Sequence, residues 1–311
     1  MGTQGTLAKK LGHILVPLVT PFRRDNGDVN YEEMEKLVDH VITRKFCDSL
    51  IVTGTTGEFN TQLYEERVEL YRVVKKAAAG RVPLIAGTGA ASAREAVRLT
   101  QAAEKIGYEV VMVVGPYFCK PIQEGVYRYF EAVAKSVEIP IMLYNIPILT
   151  GVNIAPATVA RLAKIKNIKG IKDEAGINPT QMTEYALVTP DDFTIYNGDD
   201  IMVLCGLAQG AAGVVSGGSH LIGDKMRQMI GFFLAGENEK AREIHMALDP
   251  FFKSMAPGEH TLPTPLLRAA LEMAGHPVGP PRLPLVESTP EEKEGVRKHL
   301  VRLGIINHSG R

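Results

Sequence analysis

The sequence predicts an α/β protein, a (β/α)8 or TIM barrel with a C-terminal helical segment, and three observations carry that expectation. From His13 onward, short β-branched apolar runs alternate with longer segments of helical periodicity, joined by loops of Gly, Thr, Asn and Pro. About eight such units fit into roughly 220 residues at even spacing, whereas a doubly wound sheet would more often stop at five or six strands. The chain has 311 residues, enough for such a barrel and an appendage.

Taken in order, the expected strands are Ile14–Val19, Ser49–Val52, Pro83–Ala86, Glu109–Val114, Ile139–Leu143, Ile168–Ile171, Phe193–Tyr196 and Gly213–Ser216. Each is a short run of the kind that fits a pleated, buried surface. The helices between them include Tyr31–Arg44, Tyr64–Ala79 and Ser92–Ile106. Ser92 and Glu95 have capping-box spacing, so hydroxyl and carboxylate are expected to satisfy free N–H groups of the first turn. After Gly236 no strand pattern recurs. Lys240–Lys253, Pro265–Ala274 and Pro290–Leu303 read as helices, with the Pro/Gly-rich loop from His276 to Pro284 before the last. The expected division is residues 1–235 for the barrel and 236–311 for the helical segment.

Composition narrows the function. Thirty-five basic residues balance thirty-five acidic ones, which argues against a sequence-independent grip on nucleic acid or an anionic membrane. Cys47, Cys119 and Cys205 are far apart and odd in number, so neither a disulfide framework nor a zinc knuckle is indicated, and a reducing cytoplasm is the expected location. There is no signal-peptide pattern and no run of 18 or more apolar residues. A small-molecule enzyme fits best.

In a barrel, chemistry sits at the carboxyl ends of the strands. Strand alternation puts Ile168, Gly170 and Lys172 on one face, and with Gly170 one step below, Lys172 is expected to project into open space at the barrel mouth. Apolar walls there would favour the neutral amine, a nucleophile toward a carbonyl, although a strand-end lysine reaching solvent is the common alternative. Tyr144 has the parity to reach the atom bonded to Lys172 and to relay protons, or else caps the core. Gly54, Thr55, Thr56 and Gly57 form a tight loop suited to a carboxylate or phosphate, as well as an ordinary turn. Their coincidence at strand ends argues for one site.

Other signals are weaker. Gly87-Thr88-Gly89-Ala90-Ala91-Ser92 follows a strand and opens a helix, but Ser92 stands where a dinucleotide fingerprint needs its third Gly. The eight His residues are scattered, so no metal is inferred. Asp199 and Asp200 suit the start of a helix.

Together Gly54-Thr55-Thr56-Gly57-Glu58, Tyr144-Asn145-Ile146-Pro147 and Gly170-Ile171-Lys172-Asp173 make the chain resemble the class I, pyruvate-utilising dihydrodipicolinate synthase and N-acetylneuraminate lyase superfamily, from Pro17 through Pro284. The resemblance implies that Lys172 is the Schiff-base lysine and Tyr144 the proton relay. It makes Thr55 and Thr56 the carboxylate-binding pair, with Thr55 also in the relay and Gly57 in the substrate-binding loop, and has the main chain of Val215 touching the oxoacid. It further implies a homotetramer, a dimer of dimers, and no cofactor.

The departures are specific. Phe118 stands where dihydrodipicolinate synthases carry a tyrosine that reaches a neighbouring subunit's site, and Leu149 where they carry an arginine for the aldehyde's carboxylate. Phe59, Asn60 and Tyr64 also depart from the lysine-feedback pattern, and Ile201 replaces a lyase carboxylate. The expected activity is therefore reversible aldol cleavage of a 2-keto-3-deoxy sugar acid or a hydroxy-oxo acid through a Lys172 imine. The alternatives are 4-hydroxy-tetrahydrodipicolinate synthase, a sugar-acid dehydratase, or a non-catalytic barrel that binds an oxoacid.

Overall fold

The computed structural model describes residues 5–174, 176, 178–258 and 260–307. Its strands are β1 (Ile14–Pro17), β2 (Ser49–Val52), β3 (Leu84–Gly87), β4 (Val110–Val114), β5 (Ile141–Asn145), β6 (Ile168–Asp173), β7 (Thr194–Asn197) and β8 (Val214–Val215). The helices are α1 (Thr6–Leu11), α2 (Tyr31–Thr43), α3 (Tyr64–Ala78), α4 (Ala93–Ile106), α5 (Gln123–Ala134), α6 (Pro147–Thr150) and α7 (Pro156–Leu162). They continue as α8 (Gln181–Val188), α9 (Val203–Ala208), α10 (Ser219–Leu234), α11 (Asn238–Ser254), α12 (Thr264–Met273) and α13 (Pro290–Arg302). The strands close in chain order into a barrel, with parallel register from β2 through β8 and back to β1. This is the expected (β/α)8 barrel followed by C-terminal helices.

Strands buried on both faces read as continuous apolar runs rather than alternating ones, and β1 to β5 are buried along their whole length. β3 and β7 end one residue past their expected runs, and two strands reach further. β5 and β6 each extend two residues past the expected end, to Asn145 and Asp173. Asn, Lys and Asp are poor strand formers in isolation. Here register pairs Tyr144 with Lys172 and Asn145 with Asp173, and Asn145 Nδ2 donates to Asp173 Oδ1 at 2.9 Å. Cross-strand pairing outweighs propensity.

The chain divides into two compact units. One comprises the residues up to Leu15, Asp48–Val52 and Val82–Val215, and so holds most of the strands. The other comprises Val16–Cys47, Thr53–Arg81 and the chain from Ser216 onward. The boundary expected at residues 235/236 falls in the connection between α10 and α11.

In the strand-bearing unit, α1 was not expected from the sequence. Its Leu7, Ala8 and Leu11 are buried, and its backbone is tied to strand starts. The Leu7 N–H donates to Thr194 Oγ1 at 3.2 Å, and Ser49 Oγ donates to the Leu11 carbonyl at 2.6 Å. Leu7 also explains Gly170. A Cβ there would lie 2.5 Å from the Thr194 carbonyl oxygen and 3.1 Å from Leu7 Cδ1. The glycine thus meets a close backbone approach and a filled core, rather than leaving open space below Lys172.

Helix starts follow the sequence with one difference. Ser92 Oγ accepts from the Glu95 N–H at 3.3 Å, but the Glu95 carboxylate turns to Arg98 at 3.1 Å, giving an N-cap in place of the full box. The reciprocal box occurs instead at Thr289 and Glu292, which opens α13.

Candidate active site

Lys172 lies one residue from the end of β6, between Tyr144 of β5 and Tyr196 of β7 in register. It is 5% exposed, which removes the solvent-reaching alternative. Its Nζ sits 3.9 Å from the centre of the Tyr144 ring and 2.9 Å from Glu174 Oε2. That same oxygen accepts the Tyr144 hydroxyl at 2.7 Å. Amine, phenol and carboxylate are therefore mutually in reach, with the ammonium form also attracted to the ring face. The neighbour of the amine is a carboxylate rather than the expected apolar walls.

The residue that follows β7 makes room for this group. A Cβ on Gly198 would lie 2.7 Å from Lys172 Cε and 2.8 Å from Glu174 Cβ. Asp199 follows; its side chain accepts the Ile201 N–H at 3.2 Å, the capping role expected of it. Burial and the nearby Glu174 charge push its carboxyl above the usual range, against the pull of Lys172. Tyr196 is committed elsewhere, donating to the Gly12 carbonyl at 2.8 Å.

The other face of β6 is held by a polar network. Asp173 Oδ1 accepts from Asn145 at 2.9 Å and from Gln181 at 3.2 Å. Gln181 also donates to the Tyr185 hydroxyl at 2.8 Å, which donates to the Ile154 carbonyl at 2.6 Å. Burial pushes the Asp173 carboxyl up to about 6, although both hydrogen bonds favour its charged form. Such a network fixes the backbone that carries Lys172.

Of the remaining expected residues in this unit, Val215 ends β8 and is buried. Leu149 lies on α6 and is 37% exposed, and Phe118 is 93% exposed with φ of 75°. A bulky side chain at positive φ is a backbone outlier of the kind that clusters at functional positions.

In the second unit, Thr55, Thr56 and Gly57 form a 3-10 turn with both threonines half-buried. The Gly57 N–H donates to the Gly54 carbonyl at 3.0 Å, and the Gly57 carbonyl accepts from Gln62 Nε2 at 2.6 Å. Both main-chain groups of Gly57 thus have partners close by in the chain, which gives it a part in shaping the turn. Glu58 closes the turn in the left-handed conformation, at φ 57° and ψ 40°. Its buried carboxylate accepts from Arg268 Nε at 2.7 Å and from the Arg282 N–H at 2.9 Å. Arg268 Nη1 donates to the Val278 carbonyl at 3.0 Å.

The dinucleotide-like stretch is occupied by its own surroundings. The Ala90 N–H donates to the Tyr129 hydroxyl at 3.2 Å, and a Gly89 Cβ would lie 2.6 Å from Val114 N. Gly89 thus serves packing against β4. Among the described residues no group of three or more His, Cys, Asp or Glu side chains is arranged to hold a metal, and no helix is long and apolar enough to cross a membrane.

Sequence reasoning missed Glu174. The signal was there: strand parity puts Glu174 on the same face as Lys172, one step beyond it.

Comparison with known proteins places the chain in a family. The sequence profile of the dihydrodipicolinate synthetase family matches residues 10–303. A 4-hydroxy-tetrahydrodipicolinate synthase of Desulforudis audaxviator is 46% identical over 92% of this chain and 95% of its own. The crystal structure of a dihydrodipicolinate synthase from Bacillus anthracis is 43% identical, covers 94% of this chain and 98% of its own, and superposes with a TM-score of 0.87. A lysine-bound synthase structure from Cyanidioschyzon merolae is 37% identical, covering 95% and 99%, with a TM-score of 0.91.

Proposed function

The chain belongs to the dihydrodipicolinate synthetase family, and from that premise we propose that it condenses pyruvate with an aldehyde through a Lys172 imine, as a 4-hydroxy-tetrahydrodipicolinate synthase does. The relatives favour this reading over aldol cleavage of a sugar acid, the activity first expected from Phe118 and Leu149. The observation that carries it is the buried amine of Lys172 beside the Tyr144 phenol.

In this reading Lys172 attacks the pyruvate carbonyl, and the imine serves as an electron sink that acidifies the methyl group. Tyr144 moves protons, joined by Thr55. Thr55 and Thr56 hold the oxoacid carboxylate, and the Val215 main chain borders it. The enzyme works in the cytoplasm as a homotetramer in which Phe118, exposed in the single chain, meets a neighbouring subunit. A second reading is favoured by Leu149. A leucine cannot make the charge-assisted pair an acidic aldehyde needs, so a sugar-acid partner or a dehydratase reaction competes.

Intact mass after borohydride reduction with pyruvate, beside Lys172→Ala, tests the proposal. A reduced adduct is expected on the wild type alone, with turnover in the variant reduced to background while its fold persists. A coupled assay with aspartate semialdehyde then separates the readings. Efficient condensation supports the synthase, and a trapped imine with no condensation supports the second reading.

A further inference from the structure

We propose that Glu174 is the acid-base carboxylate of imine formation at Lys172, an inference that rests on the Schiff-base reading above. Three features distinguish it from a counter-ion that merely neutralises a buried lysine. One oxygen, Oε2, serves both partners, at 2.9 Å from Lys172 Nζ and 2.7 Å from the Tyr144 hydroxyl, so a proton on it has access to both groups that must exchange protons. Its backbone is fixed, because the Glu174 N–H donates to the Asn145 carbonyl at 2.9 Å and prolongs the pairing of β6 with β5. And the residue that follows β7, Gly198, has no side chain; a Cβ there would lie 3.0 Å from this same Oε2.

The neighbouring polar groups are otherwise engaged. Tyr196 is bonded to Gly12, Asp199 to the Ile201 N–H, and Asp173 faces Asn145 and Gln181 on the other side of the strand. Glu174 is also 30% exposed along its side chain, against 7% for Lys172, so it can pass a proton between the buried amine and the departing water.

The step balances. Glu174 takes one proton from the Lys172 ammonium, and the freed amine forms a C–N bond to the pyruvate C2. A second nitrogen proton moves to the former carbonyl oxygen, giving a neutral carbinolamine. Glu174 returns its proton to that hydroxyl as the C–O bond breaks. Water leaves, the iminium keeps one N–H, and the carboxylate is regenerated.

The test is the rate of pyruvate-dependent borohydride trapping in single-turnover mixing, with thermal melting as the check on folding. Glu174→Gln keeps an acceptor for Tyr144 but carries no proton, and trapping should slow on the order of 100- to 1,000-fold. Glu174→Asp should recover part of that rate, and added formate should accelerate Glu174→Ala, which a purely structural role would not permit. A wild type that traps no pyruvate overturns the Schiff-base reading and this inference with it. A wild type that traps pyruvate at the same rate as Glu174→Gln overturns this inference alone.

Discussion

Two glutamates follow strand ends in this chain, and they are treated in opposite ways. Glu58, after β2, is buried and fixed by the Arg268 guanidinium and the Arg282 N–H. Glu174, after β6, is part-exposed and shares one oxygen between an amine and a phenol. A guanidinium never gives up its proton at ordinary pH, so the Glu58 pair is a permanent charge that holds a turn. A lysine and a phenol both exchange protons, so Glu174 sits where charge can move. The same residue type is a fastener in one unit and a working group in the other.

The comparison is broken most forcefully at Arg268. Replacing it with Ala leaves the Glu58 carboxylate buried with only the Arg282 N–H, and such an uncompensated charge costs about 3 to 5 kcal/mol. Chemical denaturation should register that loss. Glu174→Gln also removes the carboxylate from a buried charge, that of Lys172, but the Glu174 side chain is 30% exposed and the pair is the more screened, so the unfolding free energy should fall by clearly less than in Arg268→Ala. Equal stability losses in the two variants would mean that Glu174 is a fastener as well.

The pH dependence of stability sharpens the contrast through two other groups. In the second unit, burial pushes the His220 imidazole down to about 4, and its Nε2 is already committed as acceptor of the Val19 N–H at 3.3 Å. The unfolded chain binds the extra proton between about pH 6.5 and 4, so this group's stability is present above that window and is lost as pH falls through it. The amount is about 3 kcal/mol. In the strand-bearing unit, Asp173 is pushed up to about 6. Here the folded chain binds the extra proton between about pH 4 and 6, so stability present below the window is lost as pH rises through it, by a similar amount. The two slopes oppose one another. Asp173→Asn keeps an oxygen for Asn145 and Gln181 but removes the titration. Its melting temperature should therefore fall more steeply from pH 6 to 4 than that of the wild type, and parallel curves would refute the assignment.

Sequence patterning made the barrel legible because strands such as β1, β2 and β4 are buried on both faces and so stand out as apolar runs. The adjacency of Lys172 and Tyr144 was legible too, because a period of two places them by arithmetic. The missed parts have physical reasons. α1 is only six residues long, and its role lies in bonds to Ser49 and Thr194, far away in sequence. The ends of β5 and β6 are polar and are held by cross-strand partners that propensity does not register. The bonds of the Gly57 backbone to the Gly54 carbonyl and the Gln62 side chain are set by the turn geometry, which the motif does not display. Glu174 was passed over because the motif was read as ending at Asp173.

The finest probe of the contrast is a pair of methyl groups. On Gly57 a Cβ would lie 2.9 Å from the Leu18 carbonyl oxygen, a backbone atom that cannot swing aside. Gly57→Ala should therefore cost about 1 to 3 kcal/mol by forcing the turn and its Glu58 anchor to shift. On Gly198 the obstacles are side chains, Lys172 Cε and Glu174 Cβ. Lys172 Cε can swing aside but Glu174 Cβ moves only with its backbone, so Gly198→Ala should cost about 1 kcal/mol in stability, at the low end of the range for Gly57→Ala. What gives way, however, is the reacting amine and its carboxylate, and small misplacements of reacting groups slow chemistry by roughly 10- to 100-fold. Pyruvate trapping should then fall by more than the loss of stability accounts for. Full trapping in Gly198→Ala would show that Lys172 and Glu174 tolerate displacement, and that the tight packing of β7 against them serves the fold and not the reaction.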